Sequence, residues 1–392
     1  MFRIHICIFL LGTHTNIKLN LNVGGPAYQV LQLLPSYEKI KDIKISIITR
    51  YSEYKPISSR LKIYEIHKFN NFILDTIYFH IKSFFKIVEI HKKERIDVLN
   101  VHQFYHIIIS PIIARLIYKI PILMKIPINF ESYLIEATMI RKHKFRTKVI
   151  SFSWYKFFIK FLLKKINFIR PINEKMYEDL INLNYRESDI LKIPNGISSK
   201  KFIGLNKTQH KSIHFGYVGR LFEYKNIRFL LNVFKIYFLK YPNDKLFIYG
   251  KGPEEKYISD FTASNNLASN IIFRGFEKDK TKIYSNLDVL IDSAFAQGIS
   301  NTNLEAMCTN TVVIASDVYG NRDLIEHGKT GLLFNLYRKE DLLKQLMYYK
   351  ENKANIQQII SNAKKEILTN YDIDVITNKI YNFLKSRLPI NR

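Results

Sequence analysis

Phe295-Ala296-Gln297-Gly298-Ile299-Ser300-Asn301-Thr302-Asn303-Leu304-Glu305-Ala306-Met307 divides a run that reads as a buried strand, Asp288-Val289-Leu290-Ile291-Asp292, from a helical pattern that opens near Thr302. Between them stand a glycine and small polar residues, with no bulky anchor before Leu304. A strand–loop–helix unit of this kind turns unpaired backbone N–H groups and the positive end of a helix dipole toward whatever lies above the loop, a setting that favours anions. A carboxylate in the first turn, Glu305, does not suit a phosphate but does suit hydroxyls, such as a ribose diol beside a phosphate held by backbone. The stretch therefore admits two readings: an ordinary βα loop with a capped helix, or a loop that recognises a sugar nucleotide.

Outward from that stretch, short apolar runs alternate with helical spacing. Strands are expected at Ile213 to Val218, Leu246 to Tyr249, Ile271 to Phe273, Val312 to Ala315 and Leu332 to Phe334, and Ile227, Leu230, Leu231, Phe234 and Phe238 recur at helical intervals. Such alternation means βαβ units and a parallel sheet. The first half repeats the logic, with strands expected at Ile4–Leu10, Ile43–Thr49, Asp97–Val101, Ile120–Lys125 and Phe168–Pro171, and a helix from Ala27 to Leu34 after Gly24-Gly25-Pro26. Pro194-Asn195-Gly196 is a turn signal followed by a polar stretch to Ser212. The fold expected is α/β: two Rossmann-like, doubly wound domains facing each other across a cleft. The first takes residues 1–200 and the second residues 205–371. Ligands in such sheets bind outside the carboxyl ends of the strands.

The 392 residues carry 60 Lys and Arg against 34 Asp and Glu, a formal net charge of +26. That field attracts polyanions, whether nucleic acid, anionic lipid or phosphorylated substrates. Enrichment in Ile, Lys and Asn, residues of A/T-rich codons, supplies a second source for the excess. The basic residues are spread along the chain and no nucleic-acid motif is present, so no nucleic-acid partner is expected. Two distant cysteines, Cys7 and Cys308, make neither a disulfide framework nor a metal spacing and fit a reducing cytosol. The apolar opening Met1 to Leu11 is broken by His5 and lacks a small-residue cleavage site, so a first strand is expected in place of a signal peptide. No run reaches the ~20 apolar residues of a membrane span.

Four ordered elements carry a family resemblance. Tyr217-Val218-Gly219-Arg220-Leu221 with Lys225-Asn226, then Tyr249-Gly250-Lys251-Gly252-Pro253, then Gln297 to Glu305 with Ala306-Met307, then Ala315-Ser316-Asp317 to Gly320 with Gly328-Lys329-Thr330-Gly331, together resemble the family-4 retaining glycosyltransferases of the GT-B fold. Ile193-Pro194-Asn195-Gly196-Ile197 and Gly24-Gly25 extend the likeness more weakly. The resemblance implies transfer of a sugar from a nucleotide-diphosphate sugar to an acceptor hydroxyl, with a lipid-linked glycan of a surface polysaccharide as the acceptor. It makes residues 1–200 the acceptor-side domain, completed by a C-terminal helix within 372–392 that crosses back onto it, and 205–371 the donor-binding domain.

By the same resemblance Arg220 and Lys225 hold the donor diphosphate, and two fixed cations suit a leaving group that gains negative charge. Gln297 faces the transferred sugar and Glu305 the ribose hydroxyls. Backbone from Gly298 and Ile299 through Ser300, Asn301 and Thr302 to Asn303 caps the phosphates. Gly24 and Gly25 allow close backbone approach to the phosphates, Gly219 in the turn before Arg220 belongs with the donor-binding residues, and Gly250 shapes the pocket near the base.

Three departures from the family pattern stand out. Gln297 replaces the first acid of the family's E-x7-E element, which leaves hydrogen bonds but no charge at that point. Pro127 stands near a position where the family often has histidine, so His102 is only a substitute candidate, with a core or rim histidine as the favoured reading. Ser198 ends the turn where the family has Asp. No cofactor and no metal are expected; Asp372-Ile373-Asp374 has the D-x-D form but lies far from the motif-bearing loops. Ser151 to Lys165 mixes aromatic residues, the lone Trp154 and lysines. It suits either an interfacial helix on anionic lipid or a helix packed on the first sheet with its lysines reaching outward. A cytoplasmic protein, peripheral on the inner face of a membrane, is the expectation, with a non-catalytic sugar-binding subunit of the same fold as the rival.

Overall fold

The structure, a computed structural model, describes residues 4–10, 25–50, 52, 54–66, 72–102, 108–126 and 161–388. Two compact units emerge. One comprises Met1–Asn129, Val149–Gly196 and Ile373–Arg392; the other comprises Phe130–Lys148 and Ile197–Asp372. Among the described residues each unit holds a six-stranded, wholly parallel sheet.

In the first unit the strands are β1 (Ile4–Phe9), β2 (Ile43–Thr49), β3 (Leu61–Glu65), β4 (Val98–Val101), β5 (Ile122–Ile126) and β6 (Phe168–Pro171), in spatial order β3-β2-β1-β4-β5-β6. Helices α1 (Gly25–Lys39), α2 (Phe72–Lys93) and α3 (Ile109–Tyr118) lie in the connections between them, and α4 (Glu174–Asn182) follows β6. The apolar opening of the chain is a strand because it is covered on both faces. Ile4, Ile6 and Ile8 enter the core shared with α1, while Cys7 and Phe9 enter the core shared with α2 and α3. A period of two with apolar residues on both sides is the pattern of a central parallel strand.

The second unit runs β7 (His214–Val218), α5 (Ile227–Lys240), β8 (Lys245–Tyr249), α6 (Glu255–Ser264), β9 (Ile271–Gly275), α7 (Lys280–Ser285), β10 (Val289–Asp292), α8 (Asn301–Met307), β11 (Val312–Ser316), α9 (Tyr319–Arg322), β12 (Leu332–Phe334), α10 (Lys339–Glu351) and α11 (Lys353–Glu366). Its order, β12-β11-β10-β7-β8-β9, repeats that of the first sheet. In both, the first and fourth strands of the unit lie side by side, and their onward connections leave in opposite directions. That reversal opens a crevice at the carboxyl ends of the two strands, β1 with β4 and β7 with β10.

The last helix, α12 (Ile373–Arg387), belongs to the first unit, where it packs against α1. Ile376, Ile380 and Leu384 are buried there with Val30, Leu33 and Leu34. The crossing helix read from the sequence is thus present, and its i, i+4, i+8 face is the buried one.

Candidate functional site

The reversal between β7 and β10 is where the motifs of the second unit converge. Tyr217, Val218 and Gly219 from the end of β7, Leu290, Ile291 and Asp292 from the end of β10, Lys225, and Thr302 and Asn303 from α8 line one recess. Two backbone links hold its walls together. Phe295 N–H donates to Tyr224 O at 3.0 Å, and Ser293 Oγ donates to Lys225 O at 3.0 Å. The loop after β10 is therefore fastened to the short turn Glu223–Lys225 that carries the lysine.

A polar network fills the floor. Lys225 Nζ donates to Gln297 Oε1 at 2.7 Å. The amide of Gln297 donates in turn to Asp292, and to Asn321 Oδ1 at 2.8 Å. Asn303 Nδ2 donates to the same two acceptors, each at 3.0 Å. Asn321 is anchored by its own Nδ2 on Ser316 O at 2.9 Å. Asp292, Gln297, Asn303 and Asn321 are all buried. Asn303 Oδ1 is also buried, with no hydrogen-bond partner. A buried acceptor left over beside a recess matches a hydroxyl or water that comes and goes, because such atoms in folded proteins are otherwise nearly always paired. Asp292 and Asn321 were not anticipated from the sequence. The signal for Asp292 is its place at the last residue of a central strand; Asn321 stands one residue beyond the Ala315–Gly320 motif.

Arg220 and Lys225 flank one aromatic ring. The Arg220 guanidinium and the Lys225 ammonium each lie 5.5 Å from the centroid of Tyr224, which is buried. Arg220 is exposed and Lys225 half-buried. The Arg220 carbonyl accepts from the Tyr217 hydroxyl at 2.8 Å. Burial, reinforced by nearby Asp292, pushes the Tyr217 phenol well above its usual range, so it stays a proton donor.

The loop's exit is set by the neighbouring turn. Gly219 N–H donates to Tyr249 O at 3.0 Å, and Leu221 N–H to Lys251 O at 2.9 Å. A Cβ on Gly250 would stand 1.8 Å from Gly219 O, so only glycine allows the two turns to lie together. The Gly298 end is seated the same way: a Cβ on Gly320 would fall 2.3 Å from Gly298 O.

Ser300 precedes α8, and its hydroxyl lies 2.8 Å from Thr302 Oγ1. Ile299 is buried, and Asn301 and Thr302 half-buried. Glu305 is buried, with one carboxylate oxygen accepting from the Tyr284 hydroxyl at 2.8 Å. The same hydroxyl lies 3.0 Å from Thr302 O, so Tyr284 ties the acid to the start of its helix. Tyr284 carried no sequence signal, since it sits 21 residues upstream in α7.

Of the first-unit residues, Gly24 and Pro127 lie outside the described residues, as does Ser151 to Lys160; Gly25 opens α1 and is exposed. His102 follows β4 and is fully buried, with neither ring nitrogen hydrogen-bonded. Burial first, then the positive charges of Lys125 and Arg170, hold its pKa well below the usual value. The D-x-D acids part ways: Asp372 accepts from Ser199, while Asp374 pairs with Lys39 at 2.8 Å in the first unit. Among the described residues no group of three or more His, Cys, Asp or Glu is placed to hold a metal ion, and no helix is long and apolar enough to cross a membrane.

Comparison with known proteins covers almost the whole chain. The family described as Glycosyl transferases group 1 matches residues 199–366, and Glycosyltransferase Family 4 matches residues 23–201. A poly(ribitol-phosphate) alpha-N-acetylglucosaminyltransferase of Staphylococcus aureus is 24% identical over 57% of this chain and 44% of its own length. The capsular polysaccharide biosynthesis glycosyltransferase CapM of Staphylococcus aureus is 25% identical over 59% of this chain and 67% of its own. The match thus spans less than half of the first relative and two thirds of the second. Among solved structures, Anabaena HepE in complex with UDP-glucose superposes with a TM-score of 0.73 at 15% identity, covering 98% of this chain and 100% of that one.

Proposed function

As a member of the group 1, family 4 glycosyltransferases with their GT-B fold, this chain, we propose, moves a sugar from a nucleoside-diphosphate sugar to an acceptor hydroxyl with retention at the anomeric carbon. The observation that carries the reading is the pair of cations set on one ring at the β7–β10 reversal, with Lys225 locked 2.7 Å from Gln297. Departure of a nucleoside diphosphate concentrates negative charge on its phosphates, and fixed cations there are worth more in the transition state than in the ground state.

In this reading Arg220 and Lys225 take the diphosphate, and backbone from Gly298 to Asn303 borders it. Glu305, steadied by Tyr284, takes the ribose hydroxyls. Gln297 and the unmatched Oδ1 of Asn303 face hydroxyls of the sugar. The bond from the anomeric carbon to the phosphate oxygen breaks as the acceptor oxygen bonds to the same face, and the acceptor proton passes to the departing phosphate. Gln297 has no carboxylate to serve as a nucleophile, which favours this same-face route over a covalent intermediate. The relatives named for capsular polysaccharide biosynthesis and for poly(ribitol-phosphate) support an acceptor in a surface polysaccharide pathway, and we assign that acceptor as a lipid-linked glycan. No metal and no cofactor enter the scheme.

Release of nucleoside diphosphate from a panel of nucleotide sugars, with and without chelator, tests the reading. Turnover is expected with one donor class and unchanged in chelator. Arg220→Ala and Lys225→Ala are each expected to lower kcat by roughly 10²–10³, and Glu305→Ala to raise KM with a smaller change in kcat. Full rescue by a divalent cation after chelation would overturn the metal-free scheme. The replacement of an acid by Gln297 motivates one rival, a non-catalytic sugar-nucleotide-binding subunit; donor binding without any release or transfer would favour it.

A further inference from the structure

Helices α2 and α3 pack against each other and are apolar on two opposite faces. Their inner faces supply Phe79, Ile87 and Ile90, and Ile112 and Ala114, to the core under the first sheet. Their outer faces are apolar as well. On α2, Leu74, Ile77, Ile81 and Phe85 recur at three- and four-residue intervals and stand exposed, Phe85 at 62%. On α3, Ile109, Ile113, Leu116 and Ile117 do the same, with Leu116 at 61% and Ile117 at 59%. Single exposed apolar residues need no explanation, but a run along two adjoining helices marks a surface that meets something.

Charge says what it meets. Lys82 and Lys92 on α2 and Lys119 at the end of α3 are exposed beside these residues. Glu89, the acid on the outer side of α2, already bridges Lys86 at 2.5 Å and Lys93 at 3.2 Å. A second copy of the chain would set like charges against like. A bilayer with anionic headgroups offers apolar chains to the isoleucines and opposite charge to the lysines.

We infer that the outer faces of α2 and α3 form the surface by which this protein rests on an anionic membrane. Its purpose rests on the lipid-linked acceptor proposed above, whereas its binding is read separately.

Flotation of the full chain with vesicles of equal parts phosphatidylglycerol and phosphatidylcholine, against phosphatidylcholine alone, tests it. The protein is expected to float with the anionic vesicles only. Replacing Phe85, Leu116 and Ile117 together by Ser should lower the bound fraction about tenfold, while far-ultraviolet circular dichroism and nucleoside-diphosphate binding stay as in the parent. A companion variant, Lys82→Glu with Lys92→Glu and Lys119→Glu, changes only exposed residues. It should also lose anionic binding, and it carries the test if the serine variant does not fold. Failure of the parent to float, or flotation of the variants like the parent, overturns the inference. So does a dimer that the serine variant splits without any vesicle binding in the parent. Vesicle binding in a protein that turns over no nucleotide sugar sinks the proposed function and leaves this surface standing.

Discussion

At Gln297 a single side chain decides how the site can be charged. Its amide donates to Asp292 and Asn321 while its carbonyl accepts from Lys225. A glutamate there keeps the lysine contact but has no proton for the other two, and it sets a carboxylate beside Asp292. Gln297→Glu is therefore expected to be about 2 kcal/mol less stable at neutral pH. Adding Asp292→Asn, which returns a donor to the pair, should recover most of that loss. Urea unfolding of both variants checks this; equal stability of single and double variants would show that the network does not discriminate charge. At this scale the sequence revealed Arg220, Lys225 and Gln297 because they sit in contiguous motifs. It hid Asp292, Asn321 and Tyr284, whose roles depend on strand order: Gln297 meets Asn321 across 24 positions only because β10 and β11 are neighbours. His102 shows the converse. Its residue type invited a chemical role, and its position, buried beside Lys125 and Arg170, depends on β4, β5 and β6 lying together.

At the scale of elements, the turn after β8 is the support of the loop after β7. Because a Cβ at Gly250 would meet the Gly219 carbonyl, Gly250→Ala must push back the residue next to Arg220. Turnover is expected to fall at least about tenfold, since displacements near 1 Å in a catalytic contact carry large rate penalties. The melting temperature should drop as well. Donor turnover beside thermal unfolding checks it, and an alanine variant with parental kcat would show that the two turns move independently. The alternation of strands and helices was legible in the sequence from unbroken apolar runs such as Val312 to Ala315. One strand was not. Leu61-Lys62-Ile63-Tyr64-Glu65 lies at the edge of its sheet with Leu61 alone buried, so it carries neither a continuous apolar run nor a clean alternation. Helix α1 also outran its expected end at Leu34, continuing through Pro35 to Lys39, where Tyr37 is drawn into the core.

For the whole molecule, two sheets of identical strand order share one chain, and the last helix closes the first of them. Ile380 and Leu384 are buried against α1. Ile380→Ala and Leu384→Ala are each expected to destabilise the first unit by roughly 2–5 kcal/mol. Hydrogen exchange would locate the damage: amides of β1 and β2 should lose protection while those of β7 and β10 keep theirs. Loss spread evenly over both units would show that they unfold as one.

That closure also imposes a timetable on synthesis. The segment ending at Gly196 cannot cover the apolar side of α1 until Ile373 and the residues after it have left the ribosome. At about 5–20 residues per second the intervening stretch takes roughly 10–35 s. Over that interval Ile197–Asp372, which carries every strand of the second sheet, emerges and is able to fold, while the face of α1 that α12 covers waits exposed. The unit begun first is finished last, and its waiting face is where a chaperone would bind a nascent chain.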